Sequence, residues 1–279
     1  MKKSLLYHAA SWLWMGFMAK RTAEPQWLNF GKSDDYFNLV HRPLQCLIFI
    51  APLLLIYQIG ITLHPWNPGT TQTPNVIAFI LMLRFFSLFG VVGNYFPLLA
   101  VVAILFSWHL ARKDPWQFRP FLYLAMYGES LLWAIPMLVA AMLLAGQSTA
   151  MHAIDFCARA PSHLSWQTKI VLSIGAGIYE ELLFRLVLIT VLNFLLVDVF
   201  KLSLTKAIPI IILLSAVLFS LYHYLGAEKP AWDTFLFRTA AGIYFAAIYI
   251  FRGFGIDVGS HAAYDVIVVL FQAGGGHGM

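Results

Sequence analysis

The stretch that decides the fold is TKIVLSIGAGIYEELLFRLVLITVLNFLLV, residues 168–197. It is long enough for one membrane crossing, because a helix needs roughly 20 mostly apolar residues to span the hydrocarbon. Yet its middle carries Glu180, Glu181 and Arg185. Even on a lenient insertion scale, an ionisable group in mid-membrane costs about 3 kcal/mol. Such groups therefore need a partner, a wet cavity or a function.

The rest of the chain has the same character. Of 279 residues, 60% are hydrophobic and 11% charged, against roughly 25% charged in an average soluble domain. Mean hydropathy is +0.75. The reading is an all-α, polytopic membrane helix bundle of about eight transmembrane helices, with seven as the alternative. Apolar segments cover 43–63, 76–111, 120–145, 168–197, 207–226, 234–252 and 256–272. Segment 76–111 is too long for one crossing, and Gly90, Gly93, Asn94 and Pro97 offer a break into two helices.

The organisation read from this pattern has three parts. Residues 1–42 form a cytoplasmic or interfacial N-terminal segment, with an interfacial helix over 4–19 carrying Trp12, Trp14 and Phe17, since Trp favours the headgroup region. Residues 43–167 supply transmembrane helices without a recognised motif, and 168–279 hold the chemistry. The polar stretch 20–42 followed by an uncharged loop at 64–75 predicts a cytoplasmic N-terminus. The basic loop 112–119 also prefers the cytoplasm, which eight simple crossings do not allow; a broken or re-entrant piece within 76–111 removes the conflict. The net charge of +5 is accounted for by Lys and Arg beside helix ends, where they set topology and meet anionic lipid. No basic run interleaved with aromatics suggests nucleic acid. Cys46 and Cys157 lack metal-ligand or CxxC spacing and read as free.

The intramembrane ionisable residues are Arg84, Glu129, Glu180, Glu181, Arg185, His223, Arg238, His261 and Asp265. Adjacent helix residues diverge by about 100°, so Glu180 and Glu181 face different surroundings. Glu181 can pair with Arg185 one turn on, leaving Glu180 free. Phe219 and His223 share a helix face, as do His261 and Asp265. Two carboxylates and two imidazoles are an inventory for activating water: a glutamate base takes a proton and a histidine relays it or donates to an oxyanion. No nucleophile elbow and no HExxH is present. The same residues suit a divalent metal, or a buried ion-pair cluster in a non-catalytic immunity or partner-binding protein.

Three motifs in order, Glu180-Glu181-Leu-Leu-Phe-Arg185, Phe219-Ser-Leu-Tyr-His223 and His261-Ala-Ala-Tyr-Asp265, resemble those of the CPBP family. These are the CAAX-protease and bacteriocin-processing (Abi) membrane endopeptidases. The resemblance covers about 168–272 and includes Arg238-Thr-Ala-Ala-Gly242, similar to the family's glycine-containing helix. It implies a glutamic-type intramembrane endopeptidase of the bacterial cytoplasmic membrane, acting on a peptide or membrane protein within the lipid bilayer and needing no cofactor or metal. Carried over, Glu180 activates water, His223 assists, His261 and Asp265 take the oxyanion-stabilising positions, and Glu181 and Arg185 support. Two residues depart from the pattern: Asp265 stands where the prenyl proteases have Asn, and Leu186 where a small residue is common. An ionised aspartate cannot donate to an oxyanion, so Asp265 must either be protonated or orient His261 through a ring nitrogen; the second is the expectation.

Overall fold

The structure, a computed structural model, describes residues 35–63, 76–145, 164–226 and 229–275. The expected interfacial helix at 4–19, the loop 64–75, most of the loop 146–167 and Cys157 lie outside the described residues. Cys46 is free and buried, its thiol donating to the Val40 carbonyl at 3.2 Å.

Every described element is helical: α1 (Tyr36–Leu39), α2 (Pro43–Leu63), α3 (Ile77–Ser87), α4 (Phe96–Arg112), α5 (Pro120–Ala145), α6 (Trp166–Val199), α7 (Leu204–Tyr222), α8 (Trp232–Arg252) and α9 (Phe254–Gly275). A short 3-10 turn, His223–Leu225, extends α7. Six of them, α2 and α5 to α9, are long and apolar enough to cross a membrane. The chain is thus a polytopic bundle of membrane helices. Segment 76–111 does break, over residues 88–95, and Pro97 sits in the first turn of α4, where its missing N–H costs nothing. At 1.5 Å per residue, the 11 residues of α3 rise only about 16 Å, half the hydrocarbon thickness.

The two ends of 76–111 explain the charge conflict seen in the sequence. Gln45, in the first turn of α2, donates to the Gln117 carbonyl at 2.9 Å and accepts from Tyr123 of α5 at 2.7 Å. The basic connection 113–119 therefore lies at the end of the bundle from which α2 departs. Helices α3 and α4, both shorter than the six candidate spans, lie between α2 and α5, where the sequence called for a broken piece.

Helix α9 is the axis of the bundle: 72% of its span is buried, against 28–44% for the other five long helices. It packs on α6, α5, α8 and α2. Its contact with α6 is close because Gly177 has no side chain. A Cβ there would lie 2.7 Å from the Ala262 nitrogen and 2.9 Å from its Cα. The connection from α8 to α9 is a single residue, Gly253, with φ +87°, a conformation that L side chains rarely adopt. A Cβ on Gly253 would also meet His41 Nδ1 at 2.6 Å.

Beside that connection, Arg252 pairs with Glu129 of α5 through both Nε and Nη2. Tyr36 and Trp133 also donate to Glu129, at 2.5 and 2.9 Å. The Arg252 guanidinium lies 4.3 Å above the Phe37 ring. Glu129 is thereby satisfied as a tie between α1, α5 and α8. Arg84 is exposed on α3.

Two outcomes follow from these contacts. Gly177→Ala gains about 1 kcal/mol of helix propensity, but overpacking against main chain costs about 1–3 kcal/mol. The variant should melt below wild type in detergent; a higher midpoint would contradict the close contact. His41 is buried; burial, reinforced by the Arg252 charge, pushes its imidazole from the ordinary 6.5 down to about 3. Between those values the unfolded chain binds the extra proton. This contribution to stability is therefore full above pH 6.5 and is lost as pH falls toward 3. His41→Leu should lose less thermal stability than wild type between pH 7 and pH 4.5; an equal loss would refute the assignment.

Candidate active site

Three helices deliver the polar residues and a fourth lines them. Helix α6 brings Glu180, Glu181 and Arg185. Immediately after Glu181 its hydrogen bonding loosens into a π-helical stretch, Leu182–Leu188, a local irregularity frequent at functional sites. A second follows at Phe194–Val199. The C-terminal end of α7 brings Phe219, Tyr222 and His223, and α9 brings Asp257, His261 and Asp265 at successive i,i+4 positions on one face. Helix α8 lines the cluster with Phe245, its ring stacked on the His261 imidazole at 4.6 Å and 15°.

The paired glutamates do diverge. Glu181 is fully buried, with Oε2 2.9 Å from Arg185 Nε and Oε1 2.6 Å from His261 Nδ1. Arg185, also fully buried, donates from Nη2 to the Gly242 carbonyl at 3.4 Å and lies 4.5 Å above the Phe219 ring. Asp257, one turn before His261, lies beside the Glu181 carboxylate.

Glu180 faces another way. Its Oε1 accepts from the Tyr222 hydroxyl at 3.0 Å. Its Oε2 lies 3.8 Å from His223 Nε2 and 4.0 Å from His261 Nε2, both beyond direct hydrogen bonding. His223 Nδ1 is 2.7 Å from the Phe219 carbonyl. It must donate there, which leaves a lone pair on Nε2 when the ring is neutral. Asp265 Oδ2 is 3.5 Å from His261 Nε2.

All six site residues read from the sequence, Glu180, Glu181, Arg185, His223, His261 and Asp265, therefore meet in one cluster. Around His261, Glu181 meets Nδ1 at 2.6 Å, whereas Asp265 lies on the Nε2 side together with Glu180. A 2.6 Å contact fixes a ring better than one of 3.5 Å, and it leaves Nε2 as the nitrogen facing Glu180. Arg238, also flagged in the sequence, is buried on α8 with its guanidinium 5.9 Å from the Tyr224 ring. Among the described residues, no three His, Cys, Asp or Glu side chains are grouped to hold a metal ion.

Two members of the cluster were missed. Asp257 had a signal: Asp-x-x-x-His-x-x-x-Asp continues the i,i+4 spacing one turn back from His261. Tyr222 had little, because a tyrosine next to a histidine near a helix end also suits the membrane interface.

A family model described as Rce1-like, type II CAAX prenyl endopeptidase Rce1-like, matches residues 162–267. The resemblance read from the three motifs thus stands over the segment that contains all of them. Neither the curated proteins nor the solved structures include a match to the chain.

The Glu181–Arg185 pair supplies a stability test. Removing one partner of a buried pair leaves the other charge uncompensated, at a cost of about 3–5 kcal/mol. Arg185→Met should sharply lower the melting temperature in detergent, well beyond the effect of Arg84→Met on the exposed face of α3. Equal effects would mean that the pair carries no such burden.

Proposed function

We propose that this chain, whose segment 162–267 matches the Rce1-like endopeptidases, is an intramembrane endopeptidase that hydrolyses a peptide bond with a water activated by Glu180. The observation that carries this reading is the convergence of Glu180 Oε2, His223 Nε2 and His261 Nε2 on one point between α6, α7 and α9. A water there would donate one proton to Glu180 and the other to His223 Nε2. The catalytic core is 168–279, and α2–α5 hold it.

In the reaction, the water oxygen bonds to the scissile carbonyl carbon as one of its O–H bonds breaks. The released proton passes to Glu180 Oε2. His261, held by Glu181 at Nδ1, faces the same point with Nε2. With both ring nitrogens protonated it donates to the developing oxyanion, the imidazolium being balanced by Glu181. Collapse of the tetrahedral intermediate breaks the C–N bond, and the proton on Glu180 goes to the leaving nitrogen. A protonated Asp265 would add a second donor beside the oxyanion, recovering what asparagine offers at this position.

The substrate is a peptide or membrane protein reached from the lipid bilayer. The end of the bundle that carries Arg42, Arg112, Lys113, Arg119 and Arg252 is assigned to the cytoplasm by the excess of positive charge. This gives a cytoplasmic N-terminus, in a bacterial cytoplasmic membrane.

General-base catalysis contributes roughly 10²–10⁴ in rate. In cells producing Glu180→Gln, a set of new peptide ends seen with the wild type should disappear from the membrane proteome, with the protein still inserted. His223→Ala should lose the same ends. If both variants leave the peptide ends unchanged, the chain is not a glutamate-dependent protease, and a binding role takes its place.

A further inference from the structure

The Glu180 carboxylate is reached from a part of the chain that the family match does not cover. Tyr222 donates to Glu180 Oε1 at 3.0 Å, and the same hydroxyl accepts from the main-chain N–H of Ala78 at 2.9 Å. Ala78 is the second residue of α3. Its N–H is one of those at a helix start that have no partner within the helix, and here it is fully buried. The Tyr222 ring is also held edge-on by Phe184, at 4.9 Å and 62°.

We infer that Tyr222 is a positioning residue for Glu180, itself set by the Ala78 amide, so that the half-length helix α3 completes the active site. The inference rests on Glu180 being the base. Three consequences follow from the geometry. Oε1 is committed to Tyr222, so the proton taken from water lands on Oε2, the oxygen that faces His223 and His261. The carboxylate plane is fixed before substrate arrives, which preorganises the base. A hydroxyl that already accepts from an N–H is also a better donor, because linked hydrogen bonds polarise one another. It thus favours the ionised glutamate that catalysis requires.

The test compares wild type, Tyr222→Phe, Ala78→Pro and Glu180→Gln as full-length protein in lipid nanodiscs. Infrared difference spectra taken across a pH titration need no substrate, and the carboxyl band missing from Glu180→Gln identifies Glu180. In Tyr222→Phe that band should change frequency, since it has lost a donor, and its titration midpoint should move to higher pH. Cleavage of the peptide ends that depend on Glu180 should fall roughly ten-fold or more, with the acidic limb of the pH–rate profile moved the same way. A ring with only a packing role would leave both band and limb in place, because phenylalanine keeps the ring.

Ala78→Pro removes the N–H at a first-turn position and should shift the Glu180 band in the same direction by a smaller amount. Added to Tyr222→Phe it should shift the band no further. An unshifted Glu180 band in Tyr222→Phe overturns the inference, whatever Ala78→Pro does. If Tyr222→Phe shifts the band but Ala78→Pro, folded, does not, α3 has no part in it and that half of the inference fails. Undiminished cleavage by Glu180→Gln would instead sink the proposed function, a result distinguishable from either.

Discussion

One carboxylate, Glu181, is what the polar centre is built around. Its two oxygens serve two masters, Arg185 on its own helix and His261 on α9. In a bilayer core, neither an ion of this kind nor the arginine beside it can be left without compensation. The pair can form only at this spacing on α6, and the imidazole can approach only if α9 lies directly against α6. Gly177, facing Ala262 four residues before Glu181, permits that approach. The close helix contact and the charge cluster therefore require each other, and their shared axis is the most buried helix of the bundle.

From this arrangement a division of labour follows between two neighbours in sequence. Glu181 engages both oxygens, one with Arg185 and one with His261. Glu180, about 100° around the helix, spends one oxygen on Tyr222 and presents the other to two imidazoles. Aromatic side chains close the cluster: Phe219 beneath Arg185, Phe245 against His261, and Phe184 beside Tyr222. Such rings exclude water from the ion pair and hold the polar groups in single orientations. At the other end of the bundle, the Glu129–Arg252 tie does a different job. It fixes α5 to the last residue of α8, and so sets where α9 begins.

Much of this is legible in the sequence alone. The spans followed from apolar length, and the break after Ser87 from Gly90, Gly93, Asn94 and Pro97. The Glu181–Arg185 pair followed from i,i+4 spacing, because local helical geometry is contained in the sequence. What escaped were relations across the fold. Tyr222 meets Glu180 over 42 residues and Ala78 over 144, and no spacing rule speaks at that range. Which ring nitrogen of His261 faces Asp265 and which faces Glu181 depends on how α9 is rotated against α6, and no spacing rule gives that. Arg252 read as an ordinary residue at a helix end, and only its distance to α5 makes it the partner of Glu129. The π-helical stretch after Glu181 had no sequence signal at all.

The intrahelical pairing of Glu181 with Arg185 also bears on biogenesis. Helices enter the membrane in order of synthesis, and α6 is made well before α9 supplies His261. During that interval Glu181 already has its cation one turn away on the same segment, so the most costly charge is neutralised by a partner that travels with it. Glu180 has no such companion and must wait for α7 to bring Tyr222 and His223. A nascent chain halted after α6 would thus carry an unsupported acid in the lipid. With the acid pair first along the chain and the histidines later, the cluster cannot close before α9 is in place.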